Sequence, residues 1–334
     1  MKISYLIGNG FDIAFTERNS LTTSYGNLYD FFLKYEITTN ELKDNNCIVD
    51  LKMCDLENRL VDKYNAVRTP EDLFKFYKDK DELCAFICER FKEWENEAST
   101  YINTREAEFE ESITGFFNRM EPSNQNTLFN YLKDKLNQDE SITIDFITFN
   151  GTNVLERLVN SLRKKTLKIT IGNSDYNILI GDVYYVHSSV DKRYSNYHRM
   201  AFGTTVENDI QSHTIQLDNG NYVTLPKSIH EPLLKTNYDF ETWIDDSDLL
   251  ITHGLSFGHA DQRYWDNISE RLNNGAVLLD CNFRHFGLFS KSAQHAEIIN
   301  RKSSFSAHVQ NRVIVDMNPG FKPGEETSII FSFS

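Results

Sequence analysis

Apolar positions divide the chain into three stretches, a strand, a long helical block and a return to strand periods. The first is a strand: ISYLIGNGFDIAF (Ile3 to Phe15) is an apolar run that breaks at Gly8-Asn9-Gly10 and then carries Asp12. From Ser24 to about Leu136 the period lengthens to that of helices, with Glu, Lys, Leu and Phe abundant and almost no glycine. SYGNLYDFFLKY reads as one helix with Thr23 or Ser24 placed to cap it, and CIVDLKMCDLENRLVDKY reads as another. From Pro70, a suitable first helical residue, the pattern to Met120 predicts one or two long helices with charged, solvated outer faces.

Strand periods then return. ITIDFITFN (Ile142 to Asn150) predicts a buried strand, and NVLERLVNSLRKK the helix after it, with FNGTN as the loop between. LKITIG and DVYYVHSS predict two more strands, and TIQLDNGNYVTL a hairpin turning at Asn219-Gly220. DSDLLITHGLSFGHADQRYWDNISERL is strand, loop and amphipathic helix, with Trp265, Ile268 and Leu272 on one face; GAVLLDCNF and RVIVDM are further strands. Strands alternating with helices favour a mostly parallel, doubly wound sheet, and ligands of such sheets sit at the carboxyl ends of the strands. Every polar cluster of interest falls at such an end.

Composition narrows the partners. With 35 basic against 49 acidic residues the formal charge is -14, which argues against general binding to nucleic acid or an anionic membrane, since Lys and Arg carry phosphate-backbone affinity. A small anionic ligand held by backbone N–H groups stays open. The start, MKISYLIGNG, lacks the charge and length of a signal peptide, no apolar stretch approaches a membrane span, and the cytoplasm is the expected compartment. The five cysteines (Cys47, Cys54, Cys84, Cys88, Cys281) form no CxxC pair and are expected to be reduced thiols, Cys84 and Cys88 on a helical apolar pattern.

Four clusters carry the candidate chemistry. Gly8-Asn9-Gly10-Phe11-Asp12 is a glycine loop without the GxGxxG fingerprint, open to a phosphate approach or to a simple tight turn. Phe149-Asn150-Gly151-Thr152-Asn153 opens a helix; Asn150 can use amide donors and carbonyl alike, whereas Thr152 or Asn153 can serve as a cap. Val186-His187-Ser188-Ser189 places a histidine after a strand, in a catalytic or a structural role. Gly254-Leu255-Ser256-Phe257-Gly258-His259-Ala260-Asp261 lets a ligand approach, with Ser256 and Asp261 as ribose or phosphate-side partners. His253, His259 and Asp261 would be a metal set, but no matching ligands are evident elsewhere and no metal is expected.

The order GNGFD, LTTSY (Leu21 to Tyr25), an acidic helix with DLE, a strand ending FN-T-N, a histidine after a strand, and G-S-G-AD resembles the AbiH family of bacterial phage abortive infection proteins, over Lys2 to about Phe283. The chain departs from that pattern at Gly151, where the family has tyrosine, at Ser188, where it has glycine, and in GLSFGHAD, where it reads GHSLGEAD. Glu57 matches an acid of the pattern and otherwise reads as a solvated helix charge or a helix–helix contact. The family is in turn distantly similar to the sirtuin-type NAD-binding fold, and the absence of CxxC pairs removes the zinc module of protein deacetylases. The resemblance implies an α/β, Rossmann-like architecture: residues 1–23 and 138–334 form the mostly parallel doubly wound domain, and residues 24–137 a large helical insertion after the first strand.

It also implies a site. Gly8, Asn9, Gly10, Asp12, Thr152, Gly254, Ser256 and Asp261 would contact NAD, and Asn150 and His187 would form the catalytic pair of an NAD glycohydrolase acting as a defence effector. Asp12 would accept from a ribose diol or clamp a nearby N–H, because an acid facing the phosphate would weaken binding. A non-catalytic sensor of NAD or a related nucleotide, signalling through the helical insertion, is the alternative; a nuclease-type toxin is a third, disfavoured by the acidic balance. Self-association through the helical insertion is the expected switch.

Overall fold

The computed structural model describes residues 1–8, 11, 56–137, 141–187, 214–217, 219–224, 234–255, 257–258, 261–281 and 291–316. Its centre is one sheet of seven strands. β1 (Lys2–Ile7), β2 (Ser141–Thr148), β4 (Ser174–Tyr185), β7 (Leu249–His253), β8 (Val277–Cys281) and β9 (Val313–Asp316) are parallel, and β3 (Leu167–Ile171) joins the edge antiparallel to β4. The spatial order is β3-β4-β2-β1-β7-β8-β9. A separate two-stranded hairpin, β5 (Thr214–Gln216) with β6 (Tyr222–Thr224), turns where Asn219-Gly220 predicts it, with Gly220 at φ +83°. The sheet is mostly parallel, as expected, and β3 is the exception, where Gly172 at φ +64° turns the chain back into an antiparallel hairpin.

Among the described residues, five helices lie between β1 and β2: α1 (Leu56–Asn65), α2 (Pro70–Ala98), α3 (Ile102–Thr114), α4 (Phe116–Arg119) and α5 (Pro122–Leu136). Pro70 does occupy the first turn of α2, where Thr69 and Asp72 cap each other's backbone N–H groups. The stretch to Met120 is three helices instead of one or two. Ser99 and Thr100 return their hydroxyls to the Glu95 and Glu97 carbonyls, which satisfies the end of α2, and Gly115 ends α3. After the second strand come α6 (Val154–Leu162), α7 (Leu234–Ile244), α8 (Gln262–Asn273), α9 (Lys291–Ser303) and a 3-10 turn, Ala307–Arg312.

Strands buried on both faces read as continuous apolar runs, and here alternate residues of each run enter two cores. Ile3, Tyr5, Leu249 and Ile251 join Trp94, Phe109, Leu128 and Leu158 on one face. Leu6, Leu250 and Leu278 join Phe240, Trp265 and Ile268 on the other. α2 to α6 thus cover one face, and α7 and α8 cover the other. From β1 the path leads to β2 on one side, and from β7 it leads to β8 on the other side. Adjacent strands that send the chain opposite ways leave room between their exit loops, and β1 and β7 are such a pair.

Candidate functional site

The sheet register gathers the four clusters. Tyr185 pairs with Thr148, Thr148 with Ile7, Ile7 with His253, and His253 with Cys281, so one row of residues crosses the sheet at its carboxyl edge. Backbone bonds carry the pairing one residue further: Phe149 N donates to Ile7 O (2.8 Å), Gly8 N to His253 O (2.9 Å) and Val186 N to Thr148 O (2.9 Å). Residues as far apart in sequence as Gly8, Asn150, His187 and Gly254 leave the sheet side by side.

Asn150 is 3% exposed, and both its backbone and its side chain are hydrogen-bonded. Its N–H donates to Thr148 Oγ1 (3.0 Å), and its Nδ2 donates to Gly8 O (3.0 Å). A carbonyl oxygen only accepts, so that bond settles which way the amide faces. The remaining oxygen, Oδ1, is buried and has no hydrogen-bond partner among the described residues. Buried acceptors left in that state cost free energy, so the position favours a donor from a ligand or water. Thr152 is buried beside it. Asn153 holds the N-cap position of α6 without a side-chain capping bond, and its N–H donates to Glu95 Oε1 of α2 at 2.5 Å. The helices before β2 therefore reach this loop directly.

His187 and Asp261 come together. Nε2 of the imidazole lies 3.7 Å from Asp261 Oδ1, with the side chains 12% and 20% exposed. Asp261 stands at the N-cap of α8 without making a side-chain capping bond. The imidazole rests edge-on against Phe149 (5.7 Å between centroids) and Tyr264 (6.2 Å), an apolar seat that fixes its plane. The same Phe149 directly precedes Asn150, so both groups leave the sheet at its carboxyl edge. A carboxylate at this distance is placed to pair with the imidazole once it carries a proton, the setting in which a histidine can accept one.

The glycine Gly8 has a different task from the one its sequence suggests most readily. A Cβ at Gly8 would sit 2.5 Å from Gly254 O and 2.7 Å from Leu255 Cδ2. What approaches its backbone is the exit of β7, where Gly254 takes φ +60°. Because the Gly8 N–H serves the His253 carbonyl, a phosphate in this loop would have to be met by backbone beyond Gly8. Asn9, Gly10 and Asp12, together with LTTSY, Ser188, Ser256, His259 and the side chains of Glu57 and Cys84, lie outside the described residues.

His253 points into the core below the site, stacked on Tyr5 at 5.5 Å and 9°. Burial pushes its pKa down to about 3, so it is a neutral imidazole at ordinary pH. Among the described residues no three His, Cys, Asp or Glu side chains gather as a metal site, and Cys88 and Cys281 are buried free thiols. No described helix is long and apolar enough to cross a membrane.

Two groups at this edge escape a reading of the sequence. Asp280 is fully buried in β8 and receives a fork from Arg301 of α9 (2.7 and 2.6 Å). The acid inside the apolar run VLLDC is a visible signal of a buried partner, but nothing local names Arg301.

The molecule is thus of mixed α/β class, with a mostly parallel sheet that brings an asparagine, a histidine–aspartate pair and two glycine exits to one edge. Comparison with known families gives the particular identity: residues 4–281 match the family described as Bacteriophage abortive infection AbiH, and the chain belongs to that family. Membership indicates a function in phage abortive infection. No curated protein matches the chain.

Proposed function

We propose that this edge binds NAD and that the protein hydrolyses its nicotinamide glycosidic bond, depleting the cofactor of an infected cell. The observation that carries the reading is the strand order. Taken in sequence, the six parallel strands lie third, second, first, fourth, fifth, sixth, the order of Rossmann-like dinucleotide folds, and the His187–Asp261 pair stands at their carboxyl edge. In the same reading, residues 24–137 are an insertion between the first two strands and the seat of any self-association.

The chemistry asked of the residues is modest. Nicotinamide leaves as a neutral ring from a cationic one, so the bond breaks toward an oxocarbenium-like sugar without acid help. Water then forms the new bond to the anomeric carbon, the glycosidic electron pair stays on the ring nitrogen, and His187 takes the proton of that water. Asp261 holds the imidazole for this and so acts on His187 instead of on a ribose. Asn150, whose Nδ2 is occupied by Gly8 O, offers Oδ1 to a ribose hydroxyl or to the water. Thr152, Gly254 and Ser256 border the dinucleotide, and the pyrophosphate is met by the backbone at Asn9 and Gly10. Asp12 faces a ribose diol or a neighbouring N–H.

The bond from Asn150 to Gly8 favours a second reading, in which Asn150 is a clamp and the site senses NAD or a related nucleotide without turnover. Incubation of the purified protein with NAD separates the two. Release of free nicotinamide, reduced about 10²–10⁴-fold in His187→Ala, supports hydrolysis. Saturable binding with no release supports the sensor, and neither binding nor release removes the NAD site altogether.

A further inference from the structure

Asp280 sits in the middle layer of the sheet with no exposed surface. A carboxylate there must be paired, and the pairing is unusually complete. Arg301 donates Nε to Oδ2 (2.7 Å) and Nη2 to Oδ1 (2.6 Å), and Thr252 Oγ1 donates to Oδ1 (2.6 Å). A buried ion pair of this kind is seldom a source of net stability, because desolvation offsets the attraction. Its third contact says more. Arg301 Nη1 donates to Leu255 O (2.9 Å), and the guanidinium lies 4.0 Å from the centre of the Phe257 ring. Trp265 Nε1 adds a bond to Gly258 O (3.0 Å).

We propose that Arg301 is a positioning residue for the exit of β7: anchored on Asp280, it holds the Leu255 carbonyl and the Phe257 ring and so sets the edge of the crevice that faces a ligand. Three points of that short segment are held, the Leu255 carbonyl, the Phe257 ring and the Gly258 carbonyl, two of them by one guanidinium. The same segment presses the Gly254 carbonyl against Gly8, so the setting extends to the exit of β1. Only a planar fork can bind both carboxylate oxygens and a carbonyl beside them; lysine keeps the charge and loses the geometry. Arg301 lies beyond the family match at 4–281, so α9 supplies this function from outside the shared segment.

The test is amide hydrogen exchange of the full-length, ligand-free protein, with Arg301→Lys against the wild type. Exchange in the peptide covering 254–258 should rise at least about tenfold, the loss of one charge-assisted hydrogen bond, while peptides from β2 and from the helices before it keep their rates. An unchanged 254–258 segment overturns the proposal, and so does an equal rise across the whole sheet, which would make Arg301 a general tether. If Arg301→Lys does not fold, Phe257→Leu removes the ring over the guanidinium and should give a smaller rise confined to the same segment; no rise overturns the proposal equally. A second arm rests on the NAD reading: the dissociation constant for NAD should rise in Arg301→Lys, and if turnover is present KM should rise more than kcat falls. Wild-type protein that does not bind NAD removes that reading and leaves the exchange result to decide the role of Arg301.

Discussion

His253 closes β7, and His187 follows the end of β4 by two residues, so both imidazoles stand near the carboxyl edge of one sheet. They are nevertheless different chemical groups. His253 continues the alternation of Leu249 and Ile251 and therefore turns into the core, where it stacks on Tyr5 and is held neutral by burial. His187 lies past the last ladder position, where alternation no longer dictates its direction, and it meets the Asp261 carboxylate at 3.7 Å. One residue type at nearly the same height serves packing in one case and candidate proton transfer in the other. The difference teaches that the side of the pleat and the neighbouring loop, more than the residue, decide chemistry here.

The contrast can be broken most decisively at His187. His187→Ala should lower nicotinamide release about 10²–10⁴-fold, with Asp261→Asn following in the same direction, measured by initial rates on matched, folded samples. Equal loss from His253→Phe, with stability intact, would erase the distinction.

Next in size is the acid response of His253. Its folded pKa of about 3 lies below the ordinary 6.5, so between these values the unfolded chain holds the extra proton. This group leaves stability untouched above pH 6.5 and lowers it as the pH falls, by about 3 kcal/mol at pH 4. Urea unfolding at pH 7 and pH 4 should show a smaller acid loss in His253→Phe, which keeps a ring on Tyr5 and removes the titration. The same acid loss in both proteins would mean that His253 is not buried as described.

A smaller effect belongs to the seam beside His253. Gly8→Ala forces a methyl against the Gly254 carbonyl and Leu255 and should cost about 1–3 kcal/mol in urea unfolding. Smallest is the stability cost of His187→Ala, about 1 kcal/mol or less, because the side chain lies at the edge of its aromatic seat. A larger cost would turn His187 into a core residue like its counterpart and close the contrast from the other side.

Much of the frame was legible along the chain. The apolar runs at Ile3, Ile142, Leu249, Val277 and Val313 became the strands of the parallel sheet, the Asn219-Gly220 turn formed its hairpin, and Pro70 opened its helix. The break at Ser99 to Tyr101 was not legible, since charged and apolar residues there keep the helical spacing and only the return of two hydroxyls to the backbone ends the helix. Nor was the antiparallel turn at Gly172, where a single glycine at positive φ reverses the chain inside a mostly parallel sheet. At the site, the sequence pointed to Gly8, Asn150, His187, Gly254 and Asp261 as members, but their tasks differ from their types. Gly8 makes room for Gly254, and Asn150 spends its amide donor on Gly8. Asp261 turns to an imidazole, and Arg301 was invisible as a neighbour.

Alternation and turn chemistry are local quantities, set within a few residues by backbone sterics and by which side chains shun water. They alone determined the strands, most helices and the polar character of the strand ends. Which ends become neighbours depends on register between segments well over a hundred residues apart, and no local spacing carries that information. Only the folded sheet, by setting Ile7 between Thr148 and His253, decided that Gly8 would receive the amide of Asn150, that one histidine would be buried, and that the other would face a carboxylate.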